Sequence, residues 1–237
     1  MPESSTPAAS TVPAVLTGLA RQSAVLKAAL AGGEIQCGWK VGFGSATGLE
    51  TLGLDGPIIG HLLRSGERDS GAEVHISGWT KPVIEAEIAC WIARDVPSDV
   101  SVDCIGDYVA AVGPALEVAD VDHVPADPDR ILAGNIFHRG YVLGPAHADL
   151  TFEQAARLTA SFVHGEETIA VLDPEELTGH LPAVLARAAS LAPLLGRTLA
   201  KGDVILLGSI IAPRPVASGD KVSYRLGEDP ALSLRFV

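Results

Sequence analysis

Apolar positions in this chain recur with two different periods. Over 13–30, Leu16, Leu19, Leu26 and Leu30 return at helical spacing and Gly32-Gly33 follows, so a helix is expected there. Over 174–195, Leu181, Val184, Leu185, Ala188, Leu191, Leu194 and Leu195 keep the same spacing. Asp173 is a suitable N-cap, Pro174 suits the first turn, Glu176 can close a capping box and Gly196 ends the run. That segment predicts one long helix. Shorter helices are expected over 46–52 and 101–112. Strands are expected over 38–44, 73–79, 82–93, 115–118, 141–143, 157–163, 168–171, 204–207, 221–225 and 231–236. There is no regular β-α-β alternation and no internal repeat. The pattern predicts an α+β fold that is mostly β. A Ser/Pro/Ala-rich tail at 1–12 reads as disordered. It precedes a single catalytic domain over 13–237, made of a helix at 13–33 and a core at 34–237.

Composition narrows the function. With 237 residues, 47% of them hydrophobic, the chain can bury a sizeable core. Its net charge of −12 argues against nucleic acid, which calls for basic patches. No apolar stretch is long enough to span a bilayer, and the polar first residues do not read as a secretory signal. Cys37, Cys90 and Cys104 are scattered, with no metal spacing, and read as reduced thiols of a cytoplasmic protein.

One strand departs from what a core wants. Glu85 and Glu87 sit inside the apolar run Val83-Ile84-Glu85-Ala86-Glu87-Ile88-Ala89. Side chains at i and i+2 of a strand share a face, so two carboxylates stand side by side. Glu117 repeats the anomaly in Ala115-Leu116-Glu117-Val118. Buried carboxylates must be paired, protonated or bound to a cation, and hard cations such as Mg²⁺ or Mn²⁺ prefer their oxygens. The plainer alternative is a wet sheet face, or pairing with Lys or Arg. Lys40, in the Gly-flanked run Gly38-Trp39-Lys40-Val41-Gly42, is either a catalytic ammonium or an ion pair for one of the glutamates. His138 and Arg139, just after Asn135, either line a pocket or occupy a plain loop. Gly42 to Gly48 is not a dinucleotide-binding fingerprint, and there is no phosphate-binding loop or nucleophile elbow.

Taken in order, these segments resemble a known family. They are Gly38-Trp39-Lys40-Val41-Gly42, Ile84-Glu85-Ala86-Glu87-Ile88-Ala89, Pro114-Ala115-Leu116-Glu117-Val118, Ala133-Gly134-Asn135, Thr178-Gly179-His180 and Lys201-Gly202-Asp203 through Gly208-Ser209. Over about residues 31–237 the chain is similar to the 2-keto-4-pentenoate hydratases and 4-oxalocrotonate decarboxylases of the fumarylacetoacetate hydrolase superfamily. The resemblance implies that superfamily's mixed, mostly β C-terminal-domain fold and a homo-oligomer. It implies Mg²⁺ or Mn²⁺ on Glu85, Glu87 and Glu117, with Lys40 reaching into the site and Ser209 near the substrate carboxylate. The chain departs from the family at Gly134 and Ser65, where an acid is usual, and after Asp120, where Val121 and Asp122 replace a Ser-Arg pair. His138 as a proton-transfer group, and Asn135 and Arg139 as substrate contacts, are the expected substitutes.

The chemistry expected of such a site is shared by several reactions. A small 2-oxo acid can chelate a metal that stabilises its enolate. The expectation is a metal-dependent hydratase for a 2-hydroxydienoic or 2-oxo-4-enoic acid. A 2-oxo acid decarboxylase or a C–C bond hydrolase is the alternative within the superfamily. A relative that only binds an acidic metabolite is the alternative of another class.

Overall fold

The computed structural model describes residue 10 and residues 12–237. The tail expected at 1–12 lies outside the described residues except at Ser10 and Val12. Ser10 is buried, and its hydroxyl donates to Asp55.

The first half of the chain runs α1 (Pro13–Ala31), β1 (Gln36–Gly42), α2 (Ala46–Leu52), β2 (Ile58–Leu63), β3 (Glu67–Arg68), β4 (Glu73–Val74), β5 (Pro82–Ile92) and β6 (Val109–Asp120). The second half runs α3 (Pro128–Ala133), β7 (His138–Leu143), α4 (Phe152–Ala155), β8 (Ala160–His164), β9 (Glu167–Val171), α5 (Glu175–Thr178), α6 (Leu181–Leu191), β10 (Val204–Ser209), β11 (Arg214–Pro215), β12 (Lys221–Leu226) and β13 (Leu232–Phe236). Among the described residues the strands form two sheets. The larger is ordered β2-β1-β10-β5-β6-β7-β3, with β11 also pairing to β5. The smaller is ordered β4-β13-β12-β8-β9. The expected mostly β α+β fold is the one found.

Antiparallel β5 and β6 are the long centre of the large sheet and are buried along nearly their whole length. They lack the apolar–polar alternation of a half-wet strand because both faces are covered. Beside them β1 and β10 run parallel and unusually close. A Cβ at Gly38 would fall 1.9 Å from the Val204 carbonyl oxygen, so only glycine fits. The same pair is fastened by Asp203, whose carboxylate accepts from the Trp39 indole and from Arg197. The paired motifs at 38–42 and 201–209 are thus adjacent strands with a buried polar tie.

Three expected elements are different in the structure. The helix expected over 101–112 is a turn at 102–104 and a 3-10 helix at Ile105–Tyr108, followed by strand from Val109. Pairing of Val109 and Ala111 with β5 outweighs the local helical pattern. The helix expected over 174–195 is broken in two. Gly179 adopts φ 79 and Pro182 starts α6, so a continuous helix cannot form. The strand expected over 73–79 ends at Val74, before Gly78 with φ 84. Among the described residues no helix is long and apolar enough to cross a membrane.

Candidate active site

Strand register builds the site. Glu85 of β5 lies directly opposite Glu117 of β6, and Glu87 follows on the same face as Glu85. Oxygens of the three carboxylates lie within 4.8 Å of one another. Glu87 and Glu117 are fully buried, while Glu85 is partly open to a cleft. Like charges directly across a strand pair repel, so this register needs positive charge nearby.

Lys40 supplies some of it. It is only 2% exposed. Its Nζ lies 2.6 Å from Glu117 Oε1 and donates to the Ile136 carbonyl at 3.3 Å. His138 Nδ1 lies 2.9 Å from the same Glu117 oxygen. The backbone N–H of Gly208 donates to Glu87 Oε2 at 2.9 Å. A register shift between Leu206 and Ser209, with Gly208 at φ 101, turns that N–H inward.

One lysine does not balance three buried carboxylates. Burial, and then the neighbouring charge of Glu117, push Glu85 up to about 7. Burial, Glu117 and Glu85 likewise push Glu87 well above the ordinary carboxyl range. Burial would also raise Glu117, but Lys40 and His138 outweigh it and hold Glu117 at about 2. Burial would lower Lys40, and the three glutamates outweigh it in turn, so Lys40 stays an ammonium. Glu87 Oε1 and Glu117 Oε2 are buried without a hydrogen-bond partner among the described residues. Converging carboxylate oxygens short of positive partners fit a hard divalent cation, which would replace the protons that Glu85 and Glu87 otherwise favour.

The cleft beside the cluster has a volume of about 480 Å³. Its inner end holds Lys40, Glu85 and Ser209, and its walls include Val83, Ala119, Ile136, Phe137 and Ile211. The Ser209 hydroxyl donates to the Ile211 carbonyl at 2.7 Å, which ties down the strand end that borders the cleft.

The model of the fumarylacetoacetate hydrolase C-terminal family matches residues 64–236. The chain belongs to that family. A 4-oxalocrotonate decarboxylase of Pseudomonas putida is 30% identical over 84% of this chain and 77% of its own length. A TodF product hydratase of Pseudomonas putida strain F1 is 28% identical over 84% of this chain and 75% of its own. The solved 4-oxalocrotonate decarboxylase from Pseudomonas putida G7, complexed with magnesium and adipate, superimposes with a TM-score of 0.82 at 25% identity, covering 92% of this chain and 85% of that one. The protein is therefore an enzyme of the fumarylacetoacetate hydrolase superfamily.

Two residues expected on the substrate are engaged elsewhere. Arg139 turns outward, with Nη1 on the His138 carbonyl and Nη2 3.5 Å from Asp122. Strand alternation places it on the opposite face from His138. The Asn135 side chain is held by His61 and Gln22. His138 faces inward but stands behind Glu117. Lys81, at the cleft mouth, was missed. Its place two residues before Val83 and four before Glu85 on one strand face was the available signal.

Proposed function

We propose that this protein is a divalent-metal-dependent lyase that hydrates a 2-hydroxydienoic acid by way of its 2-oxo enolate. The convergence of Glu85, Glu87 and Glu117 on one point beside a buried ammonium carries this reading. Glu85, Glu87 and Glu117 would hold Mg²⁺ or Mn²⁺, which would supply a Lewis acid for negative charge developing on the substrate. Lys40 is held by Glu117 and the Ile136 carbonyl, which leaves a donor for an oxyanion at the inner end of the cleft. His138 fixes the carboxylate plane of Glu117 and acts as a positioning residue. The apolar walls exclude water from all but the reacting end. The magnesium in the solved decarboxylase complex, and the reaction named for the hydratase relative, support the assignment.

A second reading, decarboxylation of a 2-oxo diacid, is favoured by Lys81. Lys81 pairs through its carbonyl with Val121, the next row is Val83–Ala119, and the row after that is Glu85–Glu117. The Lys81 and Glu85 Cα atoms are thus separated by roughly 13 Å of apolar groove. The Lys81 ammonium makes no ion pair among the described residues and suits a distal carboxylate. Both reactions share the enolate, so products separate them. With Mg²⁺ present, dienol absorbance should fall and EDTA should abolish the loss. Hydrated ketone formed from the dienol supports hydration, and CO₂ release from a 2-oxo diacid supplied in its place supports the second reading. Loss of absorbance that is indifferent to EDTA sinks both.

A further inference from the structure

The turn that leads into β7 holds an unusual conformation. Asn135, Ile136 and Phe137 have φ values of 55, 52 and 63, three successive non-glycine residues in the left-handed region. L side chains rarely adopt this conformation even singly, and a run of three persists only where its surroundings hold it. The held geometry has one chemical result: the Ile136 carbonyl points at Lys40 Nζ.

The restraint can be traced atom by atom. The Asn135 side chain docks on edge strand β2 like an extra strand residue. Its Oδ1 accepts from the His61 N–H at 2.8 Å and its Nδ2 donates to the His61 carbonyl at 3.0 Å. Those two bonds fix which end of the amide is oxygen. That oxygen also accepts from Gln22 Nε2 at 2.7 Å. Gln22 is a fully buried polar residue of α1, a helix that otherwise packs by apolar and small side chains. The contact is close on every side. A Cβ at Gly60 would fall 2.6 Å from Asn135 Oδ1, and a Cβ at Gly18 would fall 2.7 Å from Leu132 Cβ on α3, the helix that feeds the turn.

We infer that Gln22 and Asn135 are positioning residues for Lys40. The chain of contacts runs from α1 through Gln22, Asn135 and the left-handed turn to the Ile136 carbonyl, and so fixes the direction of the ammonium at the inner end of the cleft. Glu117 anchors the Lys40 ammonium at one point. The Ile136 carbonyl is the second anchor, and it exists only while the turn is held. The inference rests on the proposed role of Lys40, but the strut itself does not.

Gln22→Met keeps length and burial while removing the donor. Asn135→Gly keeps the left-handed backbone accessible and removes the clamp, so it serves if the first variant folds poorly. Amide hydrogen exchange over 135–138 should speed up by about tenfold or more in either variant, with β5 and β6 unchanged. With Mg²⁺ and the dienol, kcat should fall about tenfold, because small misplacements of a reacting group are costly, while KM and Mg²⁺ affinity stay within about twofold. In a Lys40→Ala background Gln22→Met should cost almost nothing further, since both act through one ammonium. Unchanged exchange over 135–138 overturns the strut. Losses that multiply in the double variant, or a rise in KM with kcat intact, overturn the positioning role. If the parent enzyme turns over no 2-oxo acid, the proposed function and the positioning role fall together, and the exchange result still decides the strut.

Discussion

At the scale of single residues the site is a problem in charge balance. Glu117 collects Lys40 and His138 as partners, which leaves Glu85 and Glu87 short of compensating positive charge. Substituting either Glu85 or Glu117 by Ala should weaken Mg²⁺ binding by more than about tenfold in calorimetric titration, because even residues that only support ligands cost that much. Glu117→Ala should also lower stability by roughly 3–5 kcal/mol, since it strands the buried Lys40. Unchanged Mg²⁺ affinity in both variants would remove the metal assignment. Lys40→Ala should reduce kcat by about 10²-fold and retain Mg²⁺ binding. Parent-like turnover would leave Lys40 as an ion pair only. The outward Arg139 should tolerate Ala with KM nearly unchanged, whereas His138→Ala should lower kcat. A large rise in KM for Arg139→Ala would contradict the orientation seen here. The three glutamates and Lys40 were legible in the sequence because each breaks an apolar strand at a spacing that fixes its face. The bond between Gln22 and Asn135 was not legible: it joins residues 113 positions apart, and nothing near either one signals it.

At the scale of elements, local signals succeeded where the chain decides locally and failed where a distant partner decides. The α1 helix ends at two glycines and was readable in its bounds, but Leu16 and Leu30 of its expected apolar face are exposed. The turn at 101–108 and the start of β6 were not, because β5 imposes the pairing. The break at Gly179 was marked by glycine and proline, but the apolar spacing on both sides masked it. Edge strand β2 carries its own consequence. Burial, with the nearby His138 as a lesser cause, lowers His61 to about 4, and its Nδ1 has no partner among the described residues. The folded state therefore holds His61 neutral, while the unfolded chain takes up a proton near the ordinary value of 6.5. Stability from this residue is complete above 6.5 and is lost as pH falls toward about 4, a loss on the order of 3 kcal/mol. Urea denaturation at pH 7 and pH 4.5 should show His61→Leu losing less stability than the parent. Equal losses would place the acid sensitivity elsewhere.

At the scale of the whole molecule the three glutamates and the core share the same strands. Tyr224 of the small sheet donates to the Glu87 carbonyl, so both sheets meet at the site. A cation that binds only the folded protein should stabilise it by about 2.7 kcal/mol at a hundred times its Kd. For a domain of this size that is a rise in Tm of roughly 5–10 °C. Thermal melts with and without Mg²⁺ should show the rise in the parent and not in Glu85→Ala, and equal melts would detach the site from folding.

The β5–β6 register has one more consequence. A slip of a single residue would carry Glu85 and Glu87 to the other face and leave Glu117 alone. Misaligned molecules can keep their sheet and much of their apolar burial, so spectroscopic measures of secondary structure would score them as recovered. They could not assemble the ligand set. The stoichiometry of tight Mg²⁺ uptake after refolding should therefore count the correctly aligned fraction of a preparation, and should track recovered activity more closely than circular dichroism does.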